Sequence, residues 1–375
     1  MYYAFPFSSA TVARPAKQSS YGVTDLRRSA KRVCVYFQGP YRVTVREEPL
    51  PPLGPSQVVV ETLASAISAG TELLIYRGQA PIDIPLDETI PSLTATLKYP
   101  LKYGYAAVGR VIRVGSKVSP EWQERLVFAY NPHESHFISV PEELIPLPPT
   151  LSPEEGTLLA NMETAVNFLM DGRPLVGEQV AVFGLGVVGL LTTALLAQLP
   201  LASLVTLDPI PLRREKSLSL GAHDALDPTL PDALSRLHEA LQQDRPYRGA
   251  DLTYEVSGNP TALDQAIGAT GFNGRVVLGS WFGQNRTSLD LGRQFHRSRI
   301  SLISSQVSTI SPGLQCRWDK KRRWQVGLRM LQTLNPRGLV THCFPIHEAA
   351  QAYELLDQRP KEAIQVILRY GGEPR

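Results

Sequence analysis

The stretch "VAVFGLGVVG", Val180–Gly189, constrains this chain more than any other. It sets Gly184, Gly186 and Gly189 directly after a β-branched run and at the mouth of an apolar helix. The first glycine permits a tight turn, and the second lets a pyrophosphate approach the backbone. The third lets the helix pack closely on the strand, and the helix N-terminus faces the phosphates. A second strand, "SLVTLD", ends at Asp208, 19 residues after Gly189. A carboxylate there bonds the adenosine ribose hydroxyls and repels a 2′-phosphate, so NAD is expected over NADP. Arg213 and Arg214 follow closely enough to keep NADP open. Val187 and Val188 at the helix start, Thr164 on the preceding helix, and Arg213 complete the expected cofactor contacts.

Around this motif the chain alternates strand and helix: "QVAVFG", "GVVGLLTTALLAQ", "SLVTLD", "PLRREKSLSLG", "DLTYEVSG", "PTALDQAIGAT", "GRVVLGS". Such alternation builds a doubly wound parallel sheet. It also accounts for the uncharged run Gln179–Leu207, which hydropathy alone would offer as a membrane span. That run carries three glycines and Pro200 and has β-rich ends, so no membrane partner is expected. Upstream, Val33 to about Pro148 gives short strands split by Gly/Pro turns, a mostly β region. Downstream of "ISLISS" come an irregular stretch, a helix near Trp324–Leu334, and a closing helix and strand. Residues 1–32 have no hydrophobic period and are expected to be a flexible N-terminal tail, with an organelle-targeting peptide as the alternative.

Net charge is +3, and the tail holds six basic side chains against one acid. The rest is close to neutral and lacks the basic face that a phosphate backbone requires, so nucleic acid is not an expected partner. Cys34, Cys316 and Cys343 are far apart and form no CxxC pair. That excludes a disulfide framework and a structural zinc lobe, and suits a reducing, cytoplasmic setting.

With "AGTE" (Ala69–Glu72), "GYAAVG" (Gly104–Gly109) and the glycine turn in this order, the chain resembles the medium-chain dehydrogenase/reductase superfamily of zinc-type alcohol dehydrogenases. Within it, "GTE", "GY…VG", "NMETA" and "SSQVSTISPGLQCRWDKKRRW" resemble the subgroup around 2-desacetyl-2-hydroxyethyl bacteriochlorophyllide dehydrogenase. The resemblance covers roughly Val33 to Tyr370. It implies an α/β protein: a GroES-like, mostly β catalytic domain from 33–160 and 306–375, and a Rossmann domain over 161–305. It also implies an NAD(P)-dependent alcohol dehydrogenase or reductase, and edge-to-edge homodimers built near "RTSLDLG" and "RISLISS".

The family's zinc ligands are missing from the matching positions. Where the family has a cysteine the chain has Ala69, where it has a histidine Tyr105, and where it has the third ligand Ala160. Alanine offers no lone pair, and a phenol is a poor zinc ligand at neutral pH. No zinc is therefore expected. Thr71 stands at the family's proton-relaying hydroxyl. Tyr105 is expected either to donate a hydrogen bond or proton to the substrate oxygen or to fill the vacated pocket.

Three further residues are expected to face a small-molecule substrate: His133 in "NPHESHF", and Arg317 and Trp318 in "RWDKKRRW". Lys320–Arg323 read as a solvated helix start. The segment Gly78–Tyr99 is long for a connection and reads as a wall or lid. The leading function is hydride transfer between NAD(H) and a secondary alcohol or ketone, on a bulky or cyclic substrate. Reduction of an activated double bond by NAD(P)H is the alternative, and a dinucleotide-binding protein without turnover is a third reading.

Overall fold

Strands whose residues are buried on both faces need covering layers on both sides, and two such strands, Gln179–Phe183 and Ser203–Leu207, flank the glycine motif. The computed structural model describes residues 31–81, 85, 96–241 and 249–371. Its strands, in chain order, begin with β1 (Lys31–Gly39), β2 (Arg42–Pro49), β3 (Val58–Ile67), β4 (Ala107–Val114) and β5 (Leu126–Ala129). Then come β6 (His136–Ser139), β7 (Ile145–Pro146), β8 (Gln179–Phe183), β9 (Ser203–Leu207) and β10 (Asp224–Leu226). The last are β11 (Ala250–Glu255), β12 (Thr270–Leu278), β13 (Ser301–Ser304), β14 (Val340–Pro345) and β15 (Gln365–Arg369).

The helices are α1 (Ala69–Tyr76), α2 (Pro153–Gly156), α3 (Leu159–Gly172), α4 (Val187–Leu196) and α5 (Pro211–Ser219). They continue with α6 (Ala233–Ala240), α7 (Pro260–Ala269), α8 (Lys320–Leu334) and α9 (Ala349–Gln358).

Among the described residues, β8 to β13 make one sheet in the order β10-β9-β8-β11-β12-β13, every pairing parallel. This is the doubly wound order, with the chain reversing direction across the sheet between β8 and β11. Every residue of β8 and β9 is buried. The uncharged run Gln179–Leu207 is thus strand, helix and strand of one sheet. No helix among the described residues is long and apolar enough to cross a membrane.

The second sheet takes its strands from both ends of the chain, in the order β14-β15-β3-β4-β5-β7, with β6 also pairing β3. β15 lies antiparallel to β3, with Leu368 opposite Ser65. The last strand therefore returns to the β-rich region of the first half, beside the residues that follow β3. β1 and β2 form a separate hairpin. Lys31 and Arg32, assigned to the tail on sequence, already belong to β1, because Arg32 pairs with Glu48 at 3.2 Å and Glu134 at 2.9 Å. The rest of the expected tail lies outside the described residues.

The expected lid lies outside them over 82–84 and 86–95; its root does not. Gln284 donates from its backbone to the Gln79 carbonyl at 3.0 Å and from its side chain to the Ala80 carbonyl at 3.1 Å. "RTSLDLG" forms no strand, whereas "RISLISS" supplies β13 at the edge of the parallel sheet.

Candidate active site

An N-cap serine normally turns its hydroxyl onto the first free N–H groups of its helix. Ser68, at the start of α1, does not. Its hydroxyl instead accepts from the phenol of Tyr105. The other half of a capping arrangement is kept, because Glu72 reaches back to the Ser68 N–H at 2.8 Å. Thr71, one residue earlier on α1, places its hydroxyl 3.4 Å from that of Tyr105. Three hydroxyls, from Ser68, Thr71 and Tyr105, therefore converge where β3 ends and α1 begins.

Tyr105 is partly buried and packs against both apolar cores of the β-rich half and its neighbours. One core contains Ala160, and Ala69 packs against the other. The edge of the Tyr103 ring meets Tyr105 at a centroid distance of 6.2 Å. The phenol thus packs against both apolar clusters and still offers its hydroxyl to a partner.

Next to it lies a buried polar chain. Glu72 Oε2 accepts from the Tyr353 hydroxyl and lies 3.0 Å from His133 Nε2. His133 Nδ1 lies 2.7 Å from Ser65 Oγ, which is 2.7 Å from the Tyr370 hydroxyl. Glu72, His133 and Ser65 are each 0% exposed. Gly104 makes room for the imidazole: its φ is +129°, and a Cβ there would come within 2.9 Å of the His133 ring. Burial drives the Tyr353 and Tyr370 phenols well above their ordinary range, so both serve as O–H groups. His133 was expected to face a substrate. It does not: both ring nitrogens are engaged inside the protein. His136, at the start of β6, has its Nδ1 3.0 Å from Ser135 Oγ.

A second buried cluster ties α8 to α3. Arg323, read on sequence as part of a solvated helix start, is 0% exposed. Its guanidinium meets Glu163 at 2.8–2.9 Å and donates to Asn167 Oδ1 at 2.5 Å. It also donates to the Thr309 carbonyl at 3.0 Å and to the Val307 carbonyl. The five donors of a planar guanidinium explain why one residue can hold a helix and an irregular strand exit together. Tyr130 donates to Glu163 and accepts from Trp324 Nε1 at 3.1 Å. Arg317 is exposed, and the Trp318 ring carries the Arg322 guanidinium at 4.1 Å.

The glycine turn behaves as three different glycines should. Gly184 has φ +96°, and a Cβ there would lie 2.5 Å from Ser257 Cα. A Cβ on Gly189 would lie 1.9 Å from the Gly184 carbonyl oxygen, so helix and strand are in contact. Around Gly186, the N-cap of α4, no atom lies within 4 Å of an added Cβ. That open cradle at a helix N-terminus without a side-chain cap fits a pyrophosphate.

Val187 and Val188 follow on the first turn of α4, both partly buried. Asp208 stabilises the turn: its Oδ2 accepts from Leu185 N and its Oδ1 from Ile210 N, both at 2.8 Å. Arg213 donates to the carbonyls of Pro360 and Ala363, each at 3.2 Å, and Arg214 to the Asp208 carbonyl at 2.7 Å. Thr164 donates to the Ala160 carbonyl at 2.9 Å.

Sequence reasoning missed Ser68, Glu72, Glu163 and Arg323 as functional candidates. The Ser68–Glu72 spacing is one residue longer than a capping box and gave no standard signal. Glu163 and Arg323 are 160 positions apart and left none.

The family model described as zinc-binding dehydrogenase matches residues 187–320. The (R,R)-butanediol dehydrogenase of Bacillus subtilis is 30% identical over 236 residues, 56% of this chain and 66% of that protein. The L-threonine 3-dehydrogenase of Caldanaerobacter subterraneus is 26% identical over 82% of this chain and 90% of its own length. A solved alcohol dehydrogenase from Escherichia coli, complexed with NADH, superposes with a TM-score of 0.73 at 17% identity, over 91% of this chain and 99% of that one.

Proposed function

The chain belongs to the medium-chain dehydrogenase/reductase superfamily of zinc-type alcohol dehydrogenase-like oxidoreductases, and from that premise we propose that it transfers a hydride between NAD(H) and a secondary alcohol or ketone without zinc. The observation that carries this reading is the trio of hydroxyls from Ser68, Thr71 and Tyr105, lying where the superfamily places its metal. Two of the three matching ligand positions are alanines, and the third is a phenol whose proton is directed at Ser68. Among the described residues no group of three His, Cys, Asp or Glu side chains is placed to hold a metal ion. The donor set does not fit zinc.

The glycine turn does fit a dinucleotide, on the open cradle at Gly186. Gly184, Gly189, Val187, Val188 and Thr164 complete the proposed site. Preference for NAD is supported by Asp208 at the end of β9 and by the commitment of Arg213 and Arg214 to protein carbonyls, which leaves neither poised for a 2′-phosphate. Bound nicotinamide supplies the hydride acceptor or donor.

The protein's own residues then manage the substrate oxygen. Thr71 and Tyr105 hold it by hydrogen bonds. In ketone reduction Tyr105 turns its O–H from Ser68 to the oxygen that gains negative charge and gives up the proton. The Ser68 hydroxyl donates to the phenolate left behind. The reverse direction uses the same groups in the opposite order. The same reading includes a homodimer joined along the open β13 edge.

The test is turnover of NAD+ with secondary alcohols, beginning with (R,R)-butanediol and sorbitol, alongside zinc content by plasma mass spectrometry. Turnover with zinc far below one equivalent, slowed about 10²- to 10⁴-fold in Tyr105→Phe, is the expected result. One tightly bound zinc, or a Tyr105→Phe enzyme as fast as the wild type, overturns the proposal.

A further inference from the structure

A carboxylate and an imidazole removed completely from water are expensive to bury, and such pairs persist where their geometry has a use. Glu72 and His133 are such a pair, and neither belongs to the hydroxyl trio. Three contacts meet at the Glu72 carboxylate. Oε2 takes His133 and Tyr353, while Oε1 takes the backbone N–H of Ser68, itself the N-cap of the helix that carries Glu72.

The link to Ser68 is the informative one. Glu72 pins the Ser68 backbone, while the Ser68 side chain makes no capping bond and its hydroxyl is used by Tyr105. The imidazole fixes the other end. It spans from Glu72 to Ser65 on β3, the residue just ahead of the β3–α1 junction, and it fills the space left by Gly104, the residue before Tyr105. One buried pair therefore touches the chain on both sides of the trio.

We infer that Glu72 and His133 form a positioning unit that sets the Ser68 hydroxyl, and through it the direction of the Tyr105 O–H. The inference rests on the proposed role of Tyr105 and assigns the residues that aim it. The proton pattern is self-consistent. Tyr370 donates to Ser65, Ser65 to His133 Nδ1, and His133 Nε2–H and Tyr353 to the Glu72 carboxylate. The connection from Glu72 to Ser68 runs through a backbone N–H, which fixes a position and passes no proton. These residues position and do not relay.

The experiment uses the full chain labelled with [ζ-13C]tyrosine, the Tyr105 resonance being identified by its loss in Tyr105→Phe. Ser68→Ala, Glu72→Gln and His133→Gln are each expected to move the Tyr105 resonance in the same direction. The Tyr36 and Tyr254 resonances, from rings outside this network, are expected to stay in place. NADH affinity is expected to remain within twofold of the wild type, because the glycine turn lies in the other sheet.

A Glu72→Gln protein that folds, binds NADH and leaves the Tyr105 resonance unmoved, while Ser68→Ala moves it, overturns the inference. Uniform displacement of all tyrosine resonances in both Glu72→Gln and His133→Gln also overturns it, by reducing the pair to a general structural support. Should Tyr105→Phe turn over alcohols normally, the proposed function fails, while the resonance comparison still decides whether the pair positions the ring.

Discussion

At the scale of single residues, two side chains with ionisable heads are used in opposite ways. Tyr105 packs against two apolar cores with its hydroxyl bonded to Ser68, and in the proposed reaction it turns that hydroxyl to the substrate oxygen. Tyr105→Phe and Thr71→Val are expected to lower kcat on the first alcohol found by about 10²- to 10⁴-fold, the range for losing a general acid. Neither is expected to change NADH affinity measured by fluorescence titration.

Glu255, at the end of β11, is 0% exposed. Its Oε1 accepts from Ser257, but its Oε2 is buried with no hydrogen-bond partner. Burial raises its carboxyl above the ordinary carboxylate range, against the opposing hydrogen bonds from Ser257 and Ser280. The folded state therefore keeps this proton at a pH where the unfolded chain has released it. Glu255 thus costs stability increasingly as pH rises from about 4.5 through its folded value. Thermal melts of Glu255→Gln against wild type should converge near pH 4 and separate towards pH 7, with the variant the more stable.

Elements are joined here by a few residues whose substitution has distinguishable consequences. Gly186→Ala adds a methyl to open space at a φ of −62°, so a change in stability under about 0.5 kcal/mol is expected. The same methyl enters the proposed pyrophosphate cradle and should weaken NADH binding at least about tenfold, roughly 1.4 kcal/mol. Gly189→Ala instead drives a methyl into the Gly184 carbonyl and should destabilise the fold by about 3 kcal/mol whether or not NADH is present. Chemical denaturation with and without NADH separates the two.

Between α3 and α8, Arg323→Met leaves Glu163 buried without its cation. A loss of about 3–5 kcal/mol is expected from the same measurement.

For the whole molecule, the open feature is the end of the parallel sheet. Among the described residues β13 has no strand on its outer edge, with Ser301, Leu302 and Ser304 exposed and Leu302 at 39%. An apolar residue on an open edge strand invites pairing with another chain, and a charge there discourages it. In sedimentation, Leu302→Arg is expected to convert the proposed homodimer to a monomer without altering far-ultraviolet circular dichroism.

What the sequence alone determined is whatever depends on neighbours along the chain. The glycine spacing at 184–189 specifies a turn between a strand and a helix. Strand–helix periodicity specifies the parallel sheet, and the residue types at 69, 105 and 160 specify what those positions can bind. Only the tertiary structure decided which distant residues share an environment. His133 reads as a substrate-facing side chain until β3, Gly104 and α1 close around it. Arg323 reads as one cation in a basic run until Glu163, 160 positions earlier, is packed against it. Burial and pairing arise from long-range contacts that leave no local pattern, so they turned an expected substrate contact and an expected solvated arginine into the interior framework beside the site.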